Sequence, residues 1–139
     1  MTFREWLYAR LTDPTATDLR ALVGDRVFAK KSMTSSSEDH PFLVYKLGND
    51  TSEGLSEGNS PHRQFFTIYV HDESNENGGD YTKVDAIVKL LKELLKNANA
   101  PAADLMYIVY LETSQDLDDA SLNTVFKYIR FQAIIGKAE

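Results

Sequence analysis

The chain contains no cysteine, which excludes a disulfide framework, a thiol nucleophile and every thiolate metal site. Stability must come from packing. A surplus of positive charge is also missing. Fifteen Lys+Arg stand against 21 Asp+Glu, a net charge of -6 with a pI near 5.0, which argues against a generic basic surface for nucleic acid. No stretch approaches the roughly 18 to 20 uncharged apolar residues of a membrane span. The opening residues MTFREWLYAR carry charge where a secretory signal needs an apolar run, so a chain made and kept in a cytoplasm is expected. No phosphate-binding P-loop, dinucleotide fingerprint or HExxH occurs. What is present is ordinary for a globular protein: 42% apolar and 26% charged residues over 139 positions, enough for one core and one domain spanning residues 1–139.

Thr2-Phe3-Arg4-Glu5 reads as a capping box that opens a short helix ending near Leu11. Phe3, Trp6, Leu7 and Leu11 recur at helical spacing, and so short a helix needs a surface to dock on. Asp13-Pro14 predicts the cap and first-turn proline of a second short helix through Leu19, Leu22 and Val23, stopped by Gly24. Arg26 to Ala29 and Pro41 to Leu47 read as strands separated by a polar, serine-rich loop. Gly48 to Arg63, with Leu55 as its one large aliphatic residue, reads as a long loop of the kind that serves function or orders on a partner. Gln64 to His71 alternates as a strand does, with Phe66, Ile68 and Val70 on one face and Phe65, Thr67, Tyr69 and His71 on the other. A second acidic loop, residues 72–79, leads to Asp80, a predicted cap for a long helix reaching Asn97. In that helix Tyr81, Val84, Ile87, Val88, Leu91, Leu94 and Leu95 form one stripe, and Asp85 sits one turn before Lys89.

Leu105 to Leu111 and Thr124 to Ile135 are rich in aromatic and β-branched residues and predict two further strands, joined by a polar turn and paired antiparallel. The pattern implies an α+β fold: a mostly antiparallel sheet of four to five strands packed against one long helix and short N-terminal helices. Strand residues such as Tyr45, Phe65, Tyr69, Tyr107, Tyr128 and Phe131 supply more apolar surface than one helix layer covers, so contacts between copies are expected.

Several strings imitate chemistry. Gly54-Leu55-Ser56-Glu57-Gly58 spells the G-x-S-x-G of a hydrolase elbow, but it lies inside a loop with no strand before it and no helix after it. His40, His62 and His71 lie near Asp39 and Asp72 without helical metal-ligand spacing and read as solvated loop histidines. Asp116, Asp118 and Asp119 begin like a calcium loop, yet Ser121 and Lys127 stand where glycine and glutamate are required. Asn49-Asp50-Thr51 is a glycosylation sequon without a secretory route. No catalytic, cofactor-binding or metal residue is assigned, and no enzyme is expected. Charge is uneven: residues 1–37 carry +2, 38–79 carry -6 and 80–139 carry -2.

Four segments together resemble a known family: HPFLVYKLGND (40–50), HRQFFTIYVHDES (62–74), GDYTKVDAIVKLLKELL (79–95) and LETSQDLDDASLNTVFKYIRFQAI (111–134). They are similar to the tail terminator proteins of long, non-contractile-tailed bacteriophages, especially those infecting actinobacteria. The resemblance implies a small α+β structural protein of the virion, assembled in the host cytoplasm and placed at the head–tail interface. It implies a homo-hexameric ring on the last ring of the tail tube, which ends tube polymerisation and then meets the connector or completion protein of a filled head. Its partners would be its own copies, the tail tube protein and the head connector, with no membrane and no specific nucleic-acid binding although DNA passes through the ring. The acidic central loops read first as a solvated surface that aids solubility; the sharper reading is that a ring of subunits presents them to its channel, where repulsion would keep passing DNA from sticking. Arg63 and Arg130 are the positive candidates for the subunit interface, with Glu53, Glu57, Asp72 and Glu73 of a neighbour as their partners. The alternative reading is another head–tail connector or head-completion protein; a small cytoplasmic enzyme or ligand-binding domain comes after it.

Overall fold

The computed structural model describes residues 1–29, 41–52, 61–74, 81–96, 98–121 and 123–136. Helix α1 is Phe3–Leu11. Its capping box is formed: the Glu5 N–H donates to the Thr2 hydroxyl oxygen at 3.1 Å and the Thr2 N–H donates to the Glu5 carboxylate at 2.8 Å. Phe3, Leu7 and Leu11, four residues apart, are buried. Helix α2, Thr17–Val23, starts later than Asp13-Pro14 predicts. The Asp13 carboxylate instead accepts the N–H and hydroxyl of Thr15 at 2.9 and 2.8 Å, a local turn that uses up its capping capacity before the helix begins. Gly24 ends α2 at φ +56°, a conformation glycine adopts without strain.

Among the described residues six strands follow, one more than the upper expectation: β1 Val27–Ala29, β2 Phe42–Ser52, β3 His62–Glu73, β4 Leu105–Thr113, β5 Leu117–Asp119 and β6 Thr124–Ile135. They form one sheet in the order β1-β2-β3-β6-β4, with β5 beside β6. Every pair is antiparallel except β1 with β2. The extra strand is β5, inside the segment read as a polar turn. Pairing of β4 with β6 ends at Ile129, so the backbone groups of β6 from Thr124 to Phe126 need other partners. Leu117–Asp119 fills that place.

Both long loops are shorter than expected. Past a bulge between Leu47 and Asp50, β2 and β3 stay paired through Thr51↔Arg63 and Ser52↔His62, and β3 continues through Asp72 and Glu73 onto β6. The Gln64 side-chain amide donates to the Gly48 carbonyl at 3.0 Å and holds the bulge. Backbone pairing and local side-chain bonds suffice for these polar arms. The remainder of the two predicted loops, with Glu53, Glu57 and the G-x-S-x-G string, lies outside the described residues, as do the predicted cap Asp80 and His40.

Helix α3, Thr82–Leu95, is 14 residues, not the long helix expected from Asp80 to Asn97. Tyr81, at its N-cap, is tied away from the helix by its hydroxyl, which donates to the Leu117 carbonyl at 2.7 Å, and Lys96 leaves the helix with ψ 124°. The apolar stripe is as predicted: Val84, Ile87, Val88, Leu91 and Leu95 are buried. Asp85 does not pair with Lys89. It meets Lys127 of β6 at 2.7 Å, and Lys127 also reaches Asp116 at 3.3 Å.

The three helices share one face of the sheet. Their buried residues form one cluster with Leu43, Tyr45, Phe66, Ile68, Val70, Val125, Ile129, Phe131, Ala133 and Ile135. Tyr45 and Phe131, expected among the surplus aromatics, belong to this core.

Candidate assembly surface

Register decides what the other face carries, because residues directly opposite in a ladder point the same way. Arg63, Phe65, Thr67, Tyr69, His71 and Glu73 of β3 lie opposite Ile134, Gln132, Arg130, Tyr128, Phe126 and Thr124 of β6. Phe42, Val44 and Lys46 of β2 join the rows of His71, Tyr69 and Thr67, and Tyr107 and Val109 of β4 join those of Ile134 and Gln132. This second face divides into two halves. At one end Phe42, Val44, His71 and Thr124 are buried; at the other Lys46, Arg63 and Arg130 are exposed and Phe65, Gln132 and Ile134 half-buried.

Aromatic rings run across the buried end from strand to strand. Phe28 of β1 meets Phe42 at 6.0 Å, and Phe42 stacks on His71 at 4.8 Å with planes 8° apart. His71 stacks in turn on Phe126 at 4.8 Å, Phe126 meets Tyr69 at 6.3 Å, and Tyr69 meets Tyr128 at 5.9 Å. Nδ1 of His71 is hydrogen-bonded to the Thr124 hydroxyl at 2.8 Å. His71 is thus a buried ring stacked between two phenyls, not the solvated loop histidine expected. His62 stands at the half-exposed start of β3, its Nδ1 at 2.6 Å from the Asp50 carboxylate. Asn49 and Thr51 of the sequon lie in β2. Asp119 accepts the N–H and hydroxyl of Ser121, while Asp116 serves Lys127. Among the described residues no three His, Asp or Glu side chains converge to hold a metal, and no helix is long and apolar enough to cross a membrane.

Arg63 and Arg130 share the second face, four residues apart in register and so about 13 Å apart along the strands. Arg130 pairs with Glu112 of β4 at 2.8 Å within the same chain. Asp72 accepts the N–H of Glu73 at 2.8 Å. Arg63 and Glu73 stand at opposite ends of β3, about 33 Å apart, too far to meet within one chain.

A feature that sequence reasoning missed is the outer strand. Of the exposed large apolar side chains, Met106, Tyr107, Tyr110 and Leu111 all belong to β4, each at least 40% exposed. The string LMYIVYL has the composition of a core strand, and only the sheet order reveals it as an edge. Among the described residues nothing covers it.

No protein-family model matches this chain, and no curated protein does. Among solved structures, a chain in the virion of a native gene transfer agent particle is similar in fold, with a TM-score of 0.69 at 14% sequence identity. The match covers 97% of this chain and 95% of that one, so the two share their architecture almost from end to end.

Proposed function

We infer that this chain is a structural protein of a phage-like virion, a tail terminator that closes into a hexameric ring on the end of a non-contractile tail tube. The ring stops further addition of tube subunits and offers the surface to which a filled head joins. The carrying observation is the end-to-end likeness of fold to a chain of a gene transfer agent virion. The apolar edge of β4 supports the same reading, because a surface of exposed Met, Tyr and Leu on an edge strand is a place where another protein sits. A ring built head to tail uses two different patches on each copy and closes when the rotation divides the circle. Six copies amount to about 94 kDa, six times the 15.7 kDa chain. Its single domain works without catalysis or cofactor. Its contacts are with its own copies, the tube protein and the head connector at the head–tail joint, where Arg63, Arg130, Asp72, Glu73, Glu53 and Glu57 are candidates for the contacts between copies.

A phage with an early stop codon in this gene tests the reading directly. Electron micrographs of the lysate should contain overlong tubes beside unattached filled heads. Tails of normal length beside leaking heads would instead assign the chain to the head-completion or connector class.

A further inference from the structure

The outer edge of β4 is closed only at its start. Ala100 and Leu105 exchange both backbone hydrogen bonds, at 2.9 and 3.0 Å, and the Asn99 side chain donates to the Met106 carbonyl at 3.2 Å. From Tyr107 onward β4 pairs with β6 on one side and with no other strand among the described residues. Beside this edge, between β4 and the last turns of α3, lies a cavity of about 430 Å³ lined by Ile108, Tyr107, Tyr110 and Phe131 and by the cations Lys92 and Lys96. The Lys92 ammonium stands 4.4 Å from the centre of the Tyr110 ring. Neither lysine has a carboxylate partner among the described residues. An apolar pocket with two cations, one helical turn apart, suits an apolar side chain flanked by carboxylates.

The chain holds that pattern itself. Its acidic surplus is concentrated in residues 38–79, and there Glu53-Gly54-Leu55-Ser56-Glu57 carries one aliphatic side chain with a glutamate two positions to either side. Acid, aliphatic and acid at alternate positions is what one face of an extended strand presents. In sequence the segment joins Ser52 of β2 to His62 of β3, two strands that β6 separates from β4 in the order β1-β2-β3-β6-β4. Each copy thus carries two different complementary patches, which is what a head-to-tail contact requires.

We propose that the groove between α3 and β4 receives Glu53–Glu57 of a second copy, with Leu55 in the apolar pocket and the two glutamates on Lys92 and Lys96. This rests on the ring reading and names its interface. The absence of native cysteine makes the test clean. Single variants L55C and Y110C, mixed and oxidised, should give a disulfide-linked pair containing one chain of each kind, and the double variant should give a ladder reaching six copies. K92E/K96E should raise the concentration at which rings form by about tenfold or more, and E53K/E57K in the same chain should restore it. A double variant that cross-links only within one chain overturns the second copy as occupant. Rings that form from K92E/K96E as readily as from wild type, with no mixed cross-link, overturn the groove and leave the ring standing. Wild-type chains that remain single, alone and on isolated tube ends, overturn the ring reading and this contact with it.

Discussion

His71 is clamped between Phe42 and Phe126 with its Nδ1 on Thr124, so its removal opens a void between two rings and leaves a buried hydroxyl unpartnered. His71→Ala should cost about 2 to 4 kcal/mol in urea denaturation. By contrast, Lys127→Met removes pairs with the exposed Asp85 and Asp116 and should cost only about 1 kcal/mol. The pH dependence follows from three groups. The Thr2 amide and hydroxyl hold Glu5 below its usual 4.5, and Thr15 holds Asp13 below its usual 3.8. Each is more acidic folded than unfolded, so its contribution is complete above the unfolded value and lost as pH falls through the folded one. Lys127 is the opposite case: the Asp85 hydrogen bond, with that of Asp116, raises it above 10.5 against the effect of burial. Its contribution is whole below 10.5 and lost as pH rises past the folded value. Denaturation midpoints measured across pH should therefore fall at both extremes. Little of this was legible beforehand. The Thr2 box was, because its partners are three residues apart; the His71–Thr124 bond and the Lys127–Asp85 pair were not, because each joins residues more than 40 positions apart in sequence.

At the scale of elements, α3 and β4 make opposite demands. Leu91 is fully buried under the sheet, and Leu91→Ala should cost about 2 to 5 kcal/mol, whereas Lys89→Ala on the outer face should stay within about 0.5. On β4, Tyr107→Lys with Leu111→Lys should leave the monomer's melting temperature nearly unchanged while abolishing self-association, read by sedimentation. Elements with a strong apolar period were readable: α3 by its stripe and β3 by its alternation, with Phe66, Ile68 and Val70 all buried. The arms Asn49 to Ser52 and the strand β5 were not, because polar residues on an exposed ladder carry no period. The edge position of β4 was hidden for a related reason. Tyr107 and Ile108 have the same strand-forming character, yet one is exposed and the other buried.

For the whole molecule, the fold class was legible because one amphipathic helix among β-rich runs leaves few layer arrangements. The candidate surface was legible only in part: Arg63 and Arg130 do share the face opposite the helices, but Arg130 already pairs with Glu112, and the apolar edge escaped notice. Assembly that joins Lys92 and Lys96 to carboxylates should weaken between about 0.05 and 0.5 M salt in sedimentation or native light scattering, whereas a purely apolar contact would hold or tighten. The sheet order has one more consequence. Strand β6 bridges β3 on one side and β4 and β5 on the other, and it is the last of these elements to leave the ribosome. A nascent chain halted before Thr124 would hold the β1-β2-β3 sheet with β4 and β5 both unpaired, so the six-stranded sheet can close only when translation of β6 is complete.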